Sequence, residues 1–122
     1  MGRKSIVFDF DGVIHKYSKG WQDGSIYDEP VKGIKNVINE LHKDYDIYVV
    51  TTRARELSGE YAVRNYLDEH GIEYDAVTSI KVPAMVYVDD RGLNFNPDDI
   101  DTLVKRIRNF QPWQDIPKNK LF

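Results

Sequence analysis

The 122-residue chain contains no cysteine. Disulfides, thiolate zinc sites and cysteine nucleophiles are therefore excluded, and the composition is compatible with the reducing cytoplasm, where we expect the protein to act. Long apolar runs are also missing, because none approaches the ~20 residues that a membrane helix needs. Arg3 and Lys4 are followed by only a short apolar segment before Asp9, which does not resemble a signal peptide. We therefore expect no membrane partner.

An excess of positive charge is missing as well. The formal net charge is −3 at pH 7, which argues against a general nucleic-acid binder that works through bulk electrostatics. Nucleic acid is therefore expected only as a substrate. The sequence has no internal repeat, low-complexity run or linker, and its length is common for one domain. We expect a single domain over residues 1–122, as a monomer or a small homo-oligomer.

Short apolar segments alternate with helical patterns along the chain. Strands are predicted at residues 5–8, 47–50, 75–79 and 85–88. Helices are predicted to begin at Pro30, at a Ser58 cap and at an Asn96 cap. Residues 12–29 contain three glycines and predict a loop or small hairpin, called the flap below. From Gln111 the tail predicts an irregular segment or a short edge strand.

This order of elements is typical of a doubly wound α/β fold. The predicted strands are continuous apolar runs, which indicates that helices cover both faces of the sheet. We therefore predict a three-layer sandwich with a mostly parallel central sheet. The connections between the elements are too short to hold a large cap domain.

Polar side chains follow the first, second and fourth predicted strands, and a lysine lies between the third strand and the fourth. The residues are Asp9 and Asp11, Thr51 and Thr52, Asp89 and Asp90, and Lys81. Because open α/β sheets bind ligands beyond the carboxyl ends of their strands, we expect these side chains to share one site. Two unit charges ~4 Å apart repel by about 4 kcal/mol at an effective dielectric near 20. A hard divalent cation offsets that repulsion, and oxygen ligands with open positions suit Mg²⁺.

The same residue types suit a phosphoryl group. Lys81 supplies a point charge, and the Thr51 hydroxyl can donate to a phosphate oxygen. Backbone N–H groups around Asp11 and Gly12 can form a small anion nest. An aspartate positioned in line is an established nucleophile in phosphoryl chemistry, and a second aspartate can act as general acid and base. The pattern therefore indicates chemistry on a phosphorylated substrate.

Four segments resemble, in order, the motifs of the haloacid dehalogenase superfamily. They are residues 7–14 (V-F-D-F-D-G-V-I), residues 49–53 (V-V-T-T-R), Lys81 and residues 87–91 (Y-V-D-D-R). The resemblance extends from Ser5 to about Phe110 and implies the Rossmann-like fold of that superfamily, with the first strand central in the sheet. The chain resembles the small phage and bacterial members that lack a large cap.

The resemblance also implies a role for each matching residue. Asp9 would be the nucleophile and a metal ligand. Asp11 would be the general acid and base, and its backbone carbonyl would contact Mg²⁺. Thr51 and Lys81 would bind the phosphoryl group.

Four further assignments complete the expected site. Asp90 is favoured over Asp89 as the additional metal ligand, and Asp89 either touches the metal or orients a neighbour. Thr52 and Gly12 are candidates for contact with the phosphate, although a strand-end cap explains Thr52 equally well.

An acid at position 11 resembles the phosphatase branch of the superfamily. The resemblance therefore implies a Mg²⁺-dependent phosphomonoester hydrolase that works through an aspartyl-phosphate. Members without a large cap tend to act on large or exposed substrates, so nucleotides and nucleic-acid phosphate ends are candidate substrates. A catalytically silent phosphate- or metal-binding module is the main alternative. A receiver-like phospho-switch fits less well, because its acidic pair comes first in the chain, whereas here the pair comes last.

Two further features allow alternative interpretations. The first is the flap segment with Tyr17, Lys19 and Trp21, which could stack on a base or sugar and meet a phosphate. Packing of Trp21 on the core of its own hairpin is the favoured interpretation. The second is Arg53, for which an ion pair with an acidic neighbour is favoured over a substrate contact.

The three histidines show no spacing typical of metal ligands. They are His15, His42 and His70, and all are expected at the surface.

Overall fold

The computed structural model describes residues 3–89 and 93–109. Its strands are β1 (Ser5–Asp9), β2 (Asp46–Val50), β3 (Ala76–Thr78), β4 (Val86–Asp89) and β5 (Leu93–Asn94). Its helices are α1 (Ile34–His42), α2 (Leu57–Glu69) and α3 (Leu103–Asn109), with 3₁₀ turns at Thr52–Arg55 and Pro97–Thr102. The predictions for Asp90 and for the tail from Gln111 lie outside these residues. No described helix has the length and apolar character that a membrane span needs.

The strands form one parallel sheet in the order β3-β2-β1-β4-β5. The first strand is central, as expected, because Val7 lies opposite both Tyr48 of β2 and Tyr87 of β4. The predicted α/β class, with its parallel sheet and without a large cap, is confirmed. β5 was not predicted, since two residues are too few to show a hydrophobic period.

The hydrophobic core lies on one face of the sheet. Ile6 and Phe8 of β1 point into it and are fully buried. All three helices pack their apolar residues into the same core: Ile34, Val37, Ile38, Leu41, Val63, Tyr66, Leu67, Leu103 and Ile107. Among the described residues, the predicted second layer of helices is not found. Residues 79–85 connect β3 to β4 and are too few for a helical crossover, which takes a dozen or more residues.

The first helix begins later than predicted. Pro30 pairs with His15 in an isolated antiparallel bridge, and the N–H of Val31 donates to the carbonyl of Ile14 at 2.8 Å. Gly33 then has a φ of 87°, which lies outside the helical range. The prediction at Pro30 was wrong because this pairing with the flap, which local sequence does not reveal, holds the segment in an extended form.

The other two helix starts differ less from the prediction. α2 begins at Leu57, before the predicted Ser58 cap. Asn96 does act as a cap, because its side chain accepts a hydrogen bond from the N–H of Asp98 at 3.0 Å. The capped segment is a 3₁₀ turn that leads into α3.

Candidate active site

A cleft of about 470 Å³ lies at the carboxyl ends of β1, β2 and β4. Six of the residues predicted to form the site line it: Asp9, Asp11, Thr51, Thr52, Lys81 and Asp89. They come from separate segments of the chain, and the parallel strands bring them together. Arg55, Ser79 and Tyr87 also line the cleft, and sequence reasoning missed them.

Two aspartates that line the cleft, Asp9 and Asp89, end neighbouring strands. Phe8 lies opposite Val88 in the parallel register, so the next residues, Asp9 and Asp89, end neighbouring strands about 4.8 Å apart. Phe8 and Val88 point into the core. Since side chains alternate along a strand, Asp9 and Asp89 point to the opposite face. Two unit charges ~5 Å apart repel by about 3 kcal/mol at an effective dielectric near 20, which favours a cation at this position.

Thr51 is a hydrogen-bond donor at the end of β2. The residue is buried, and its backbone N–H donates to the carbonyl of Thr78 at 2.9 Å. Its hydroxyl oxygen accepts the N–H of Arg53 at 3.2 Å. The hydroxyl proton is therefore directed away from that amide and can be donated to an anion in the cleft.

The two cations of the cleft come from its edges. Lys81 lies in the connection from β3 to β4, and Arg55 lies at the end of the 3₁₀ turn after β2. Both residues are exposed. Together with Thr51 they can surround a phosphate with positive charge and donors.

Asp11 is held by an arginine. Arg53 Nε donates to Oδ2 at 2.9 Å and Nη2 donates to Oδ1 at 3.2 Å. The Arg53 side chain is 7% exposed, and that of Asp11 is 21% exposed. A third donation, from Arg53 Nη1 to the carbonyl of Gly24 at 2.6 Å, connects the same guanidinium to the flap. The ion-pair interpretation of Arg53 is confirmed.

His15 is the second partner of Asp11 and corrects the sequence prediction. It is fully buried, whereas the sequence placed it at the surface. Its Nδ1 lies 2.8 Å from Asp11 Oδ1, and its ring packs among the rings of Phe10, Tyr27 and Tyr66. The four-residue spacing from Asp11 is a weak signal for this contact. It brings the two side chains together only if the chain turns after Gly12, and the sequence does not show that turn clearly.

The tautomer of His15 follows from its second hydrogen bond. The backbone N–H of Asp28 lies 3.1 Å from His15 Nε2, so Nε2 accepts. The ring proton is then on Nδ1 and is donated to Asp11. His15 therefore links the site to the far end of the flap through a buried, oriented imidazole.

Asp28 and Tyr66 fasten the flap to the body of the fold. The Asp28 carboxylate accepts from Oγ and N–H of Ser18 at 2.6 and 2.9 Å, and these bonds hold its pKa below the usual range. Burial raises the pKa of Tyr66, and the carboxylates of Glu29, Asp28 and Asp11 raise it further. The phenol therefore stays protonated and donates to the carbonyl of Asp28 at 2.9 Å.

Trp21 does not pack in a core, which corrects the favoured interpretation of the flap. The residue is 64% exposed. The guanidinium of Arg53 lies 5.3 Å from the centroid of its ring, within the range of a cation–π contact. The ring therefore rests on Arg53 at the surface.

Gly12 lies next to the site but does not line the cleft. Its φ is +88°, a conformation that favours glycine. Its N–H donates to the carbonyl of His15 at 2.8 Å. That hydrogen bond occupies the amide that the sequence assigned to a phosphate nest, so the structure gives no support to this assignment.

The carboxylate oxygens at the cleft are of the type that binds Mg²⁺ together with a substrate phosphate. Within the described ranges, no group of three or more His, Cys, Asp or Glu side chains is arranged to hold a metal ion. Asp9 and Asp89 nevertheless provide two carboxylates, and Mg²⁺ is usually held by one or two carboxylates together with water and substrate phosphates. Asp90, the ligand favoured from the sequence, lies outside the described residues.

Comparison with known proteins supports the fold. No protein-family model matches the chain, and no curated protein matches it. A solved structure similar to it is a chain of the Pnkp1/Rnl/Hen1 RNA repair complex, with 14% sequence identity and a TM-score of 0.50. The similarity covers 90% of this chain and 33% of that chain, so the present chain spans about a third of the length of its neighbour.

Proposed function

We propose that the chain is a Mg²⁺-dependent phosphomonoester hydrolase of the haloacid dehalogenase type. The observation that carries this proposal is that Asp9, Thr51 and Lys81 line one open cleft although they come from distant segments. A carboxylate, a hydroxyl donor and a cation are the groups that nucleophilic phosphoryl transfer requires.

The proposed reaction has two steps on the Asp9 side chain. An Asp9 carboxylate oxygen attacks phosphorus, a P–O bond forms, and the bond to the leaving alkoxide breaks as a proton is delivered to that alkoxide. Water then attacks the aspartyl-phosphate, which releases inorganic phosphate and restores the carboxylate. Thr51 and Lys81 hold the phosphoryl oxygens throughout. A bound Mg²⁺ would neutralise part of the charge of Asp9, Asp89 and the phosphate.

Asp11 is proposed to deliver and later remove the proton. Both of its oxygens accept hydrogen bonds, one of them from His15 and Arg53 together. Among the described residues, Oδ2 accepts one bond only and keeps a second lone pair, through which Asp11 can serve the leaving group. The Arg53 and His15 contacts are thus part of the proposed cycle, since they fix where the carboxyl group lies between turnovers.

The decisive experiment is hydrolysis of a chromogenic aryl phosphate by the purified protein. Turnover should require Mg²⁺, stop with chelator and fall by at least about 1,000-fold in Asp9→Asn, because the nucleophile is lost. Asp68→Asn removes a carboxylate of the same kind on the exposed surface of α2, away from the cleft, and should retain activity. Turnover that persists unchanged in Asp9→Asn would contradict the proposal.

A phosphate-binding module without turnover is the second candidate. The observation that favours it is that Arg53 and His15 hold the Asp11 carboxylate with three hydrogen bonds, so that both of its oxygens are engaged. Calorimetry would then detect Mg²⁺-dependent binding of inorganic phosphate that Lys81→Ala weakens, while no aryl phosphate or nucleotide is hydrolysed. A phosphoryl adduct that persists without turnover would indicate the receiver-like switch instead.

The choice of substrates for the assay follows from the open cleft. No large cap covers it among the described residues, so an extended substrate can reach Asp9. The solved chain of similar fold belongs to an RNA repair complex, and oligonucleotides with a terminal phosphate are therefore proposed as part of the substrate panel.

A further inference from the structure

A second hollow, of about 260 Å³, lies between the flap and the start of α2. Thr52 lines both this hollow and the cleft that contains Asp9. Arg53 lines the hollow and holds Asp11, which lines the cleft. The two cavities are therefore neighbours that share Thr52, and a ligand with its phosphate in the cleft can extend into the hollow.

Trp21 gives the hollow a flat aromatic wall. The Arg53 guanidinium supports the ring at 5.3 Å from its centroid, and a Cβ at Gly24 would lie 3.4 Å from the ring. The ring therefore contacts Arg53 and lies close to Gly24, yet it is 64% exposed. A large aromatic side chain that is supported by a neighbour and still exposed is suited to stacking with a planar ligand.

The start of α2 lines the hollow with two polar and two small residues. Glu56 precedes α2 but its side chain makes no capping hydrogen bond, and Ser58 is exposed close to it in the chain. Gly59 and Ala62 are the small residues of the lining. A volume of about 260 Å³ is below the ~300–1,000 Å³ of sites for drug-sized ligands, so the hollow suits one ring system.

We propose that this hollow binds the base of a nucleotide whose terminal phosphate occupies the cleft, an inference that rests on the proposed function. The base stacks on Trp21, and its polar edge meets the carboxylate of Glu56 and the hydroxyl of Ser58. Free nucleotides and phosphorylated ends of single-stranded nucleic acid share this chemistry. The proposal makes Trp21 a determinant of specificity and leaves the chemistry to the cleft.

The kinetic test compares substrates with and without a base. The measured quantity is the ratio of kcat/KM for adenosine monophosphates, with the phosphate at the 3′ or the 5′ position, to kcat/KM for ribose 5-phosphate. Trp21→Ala should lower this ratio by about 5- to 150-fold, the range expected for loss of one base–aromatic stack. Trp21→Phe should retain most of it. Tyr61→Ala removes another exposed aromatic ring, which lines neither cavity, and should leave the ratio unchanged.

An end-phosphorylated oligonucleotide forms a second arm of the same test. A kcat/KM that falls in Trp21→Ala for either kind of substrate supports the subsite. The substrate that shows the fall tells whether the base belongs to a free nucleotide or to a nucleic-acid end. If kcat/KM is unaffected by Trp21→Ala in both arms while all the phosphates are still hydrolysed, the subsite is wrong and the proposed hydrolase stands.

A binding test decides the matter even if the protein shows no turnover. In Asp9→Asn protein that also carries Trp113→Phe, Trp21 is the remaining tryptophan, so its fluorescence reports on the hollow alone. Adenosine monophosphate should quench this fluorescence with a saturable curve, and ribose 5-phosphate should not. Quenching without turnover in the parent protein supports the subsite while the proposed hydrolase fails. Absence of quenching at millimolar nucleotide overturns the subsite.

Discussion

Arg53 donates to both carboxylate oxygens of Asp11, over 2.9 and 3.2 Å, and to the carbonyl of Gly24 with the same guanidinium. One side chain therefore joins the candidate site to the flap. Three oriented donations of this kind require the planar fork of arginine and cannot be reproduced by a lysine ammonium.

Loss of Arg53 is expected to destabilise the protein. Arg53→Ala leaves Asp11 with His15 as its described partner and removes a nearly buried cation, and breaking such pairs costs about 3 kcal/mol. Urea unfolding should show that loss in the free energy of unfolding. Arg53→Lys should recover less than half of it. A loss below about 1 kcal/mol in Arg53→Ala would mean that water replaces the guanidinium, and the coupling between flap and site would be abandoned.

Loss of the His15 imidazole is expected to remove two hydrogen bonds. In His15→Phe the ring volume is kept, but the N–H of Asp28 loses its acceptor, and Asp11 Oδ1 loses the Nδ1–H while it keeps the bond from Arg53 Nη2. An unsatisfied N–H costs about 1–3 kcal/mol and a lost hydrogen bond to a charged group about 1.5–3 kcal/mol, so unfolding should become easier by at least about 2 kcal/mol. His70→Phe is the matched control, because His70 also lies against the Tyr66 ring, and it should change stability by less than 1 kcal/mol. Equal effects of the two substitutions would show that packing, not hydrogen bonding, is what His15 contributes.

His42 is expected to make stability depend on pH. Its Nδ1 lies 2.9 Å from Glu73, and its Nε2 lies 3.1 Å from Asp75. The hydrogen bond to Glu73 is the main cause that raises the pKa of His42 above 6.5, and Asp75 adds to it. A raised pKa in the folded state stabilises the protein below pH ~6.5 and loses that contribution as the pH rises through the folded value.

The measurement for His42 is the free energy of unfolding between pH 5.5 and 8.5. The difference between the natural protein and His42→Gln should be largest at pH 5.5 and should shrink steadily towards pH 8.5. Asn65→Ala, which changes an exposed residue of α2 that does not titrate, should follow the natural protein with a constant offset. If the difference in the free energy of unfolding grew with pH, the Glu73 and Asp75 contacts would not stabilise the charged form of His42.

Gly59 is expected to resist the substitution that usually stabilises a helix. Glycine to alanine inside a helix typically gains about 1 kcal/mol. At position 59 a Cβ would overlap with the backbone carbonyl oxygen of Arg53. Gly59→Ala should therefore lower the melting temperature, whereas Asn65→Ala, at an exposed position of α2, should leave it the same or raise it. A higher melting temperature for Gly59→Ala would show that α2 can move away from the 3₁₀ turn without cost.

Arg55 is expected to bind phosphate although sequence reasoning missed it. It lines the cleft and is exposed, so its contribution is that of a partly screened charge, about 0.2–1 kcal/mol. Arg55→Ala should therefore raise the dissociation constant of inorganic phosphate by about 1.4- to 5-fold. The increase should be smaller at high salt. Lys32→Ala changes an exposed cation that does not line the cleft and should leave the dissociation constant unchanged. A similar increase in Lys32→Ala would show that Arg55 acts only through the net charge of the protein.

The sequence by itself determined the parallel sheet and the places where polar side chains follow its strands. Buried parallel strands must be apolar, and they end where the first charged or hydroxyl side chains appear. The break after Phe8 and the break after Val50 are therefore visible in the sequence. Because all the strands run in one direction, these breaks meet at one edge, and the lining of the cleft by Asp9, Thr51 and Asp89 follows.

Only the tertiary structure decided how the flap joins that site. The burial of His15, the bridge at Pro30 and the exposure of Trp21 depend on contacts between residues distant along the chain or on a turn of the flap, and they have no hydrophobic period to indicate them. Arg53 could be assigned an acidic partner from the sequence, but not Asp11 in particular. Local sequence patterns indicate which side chains avoid water, whereas the pairing of polar groups is fixed only when the fold brings donors and acceptors within about 3.2 Å of one another.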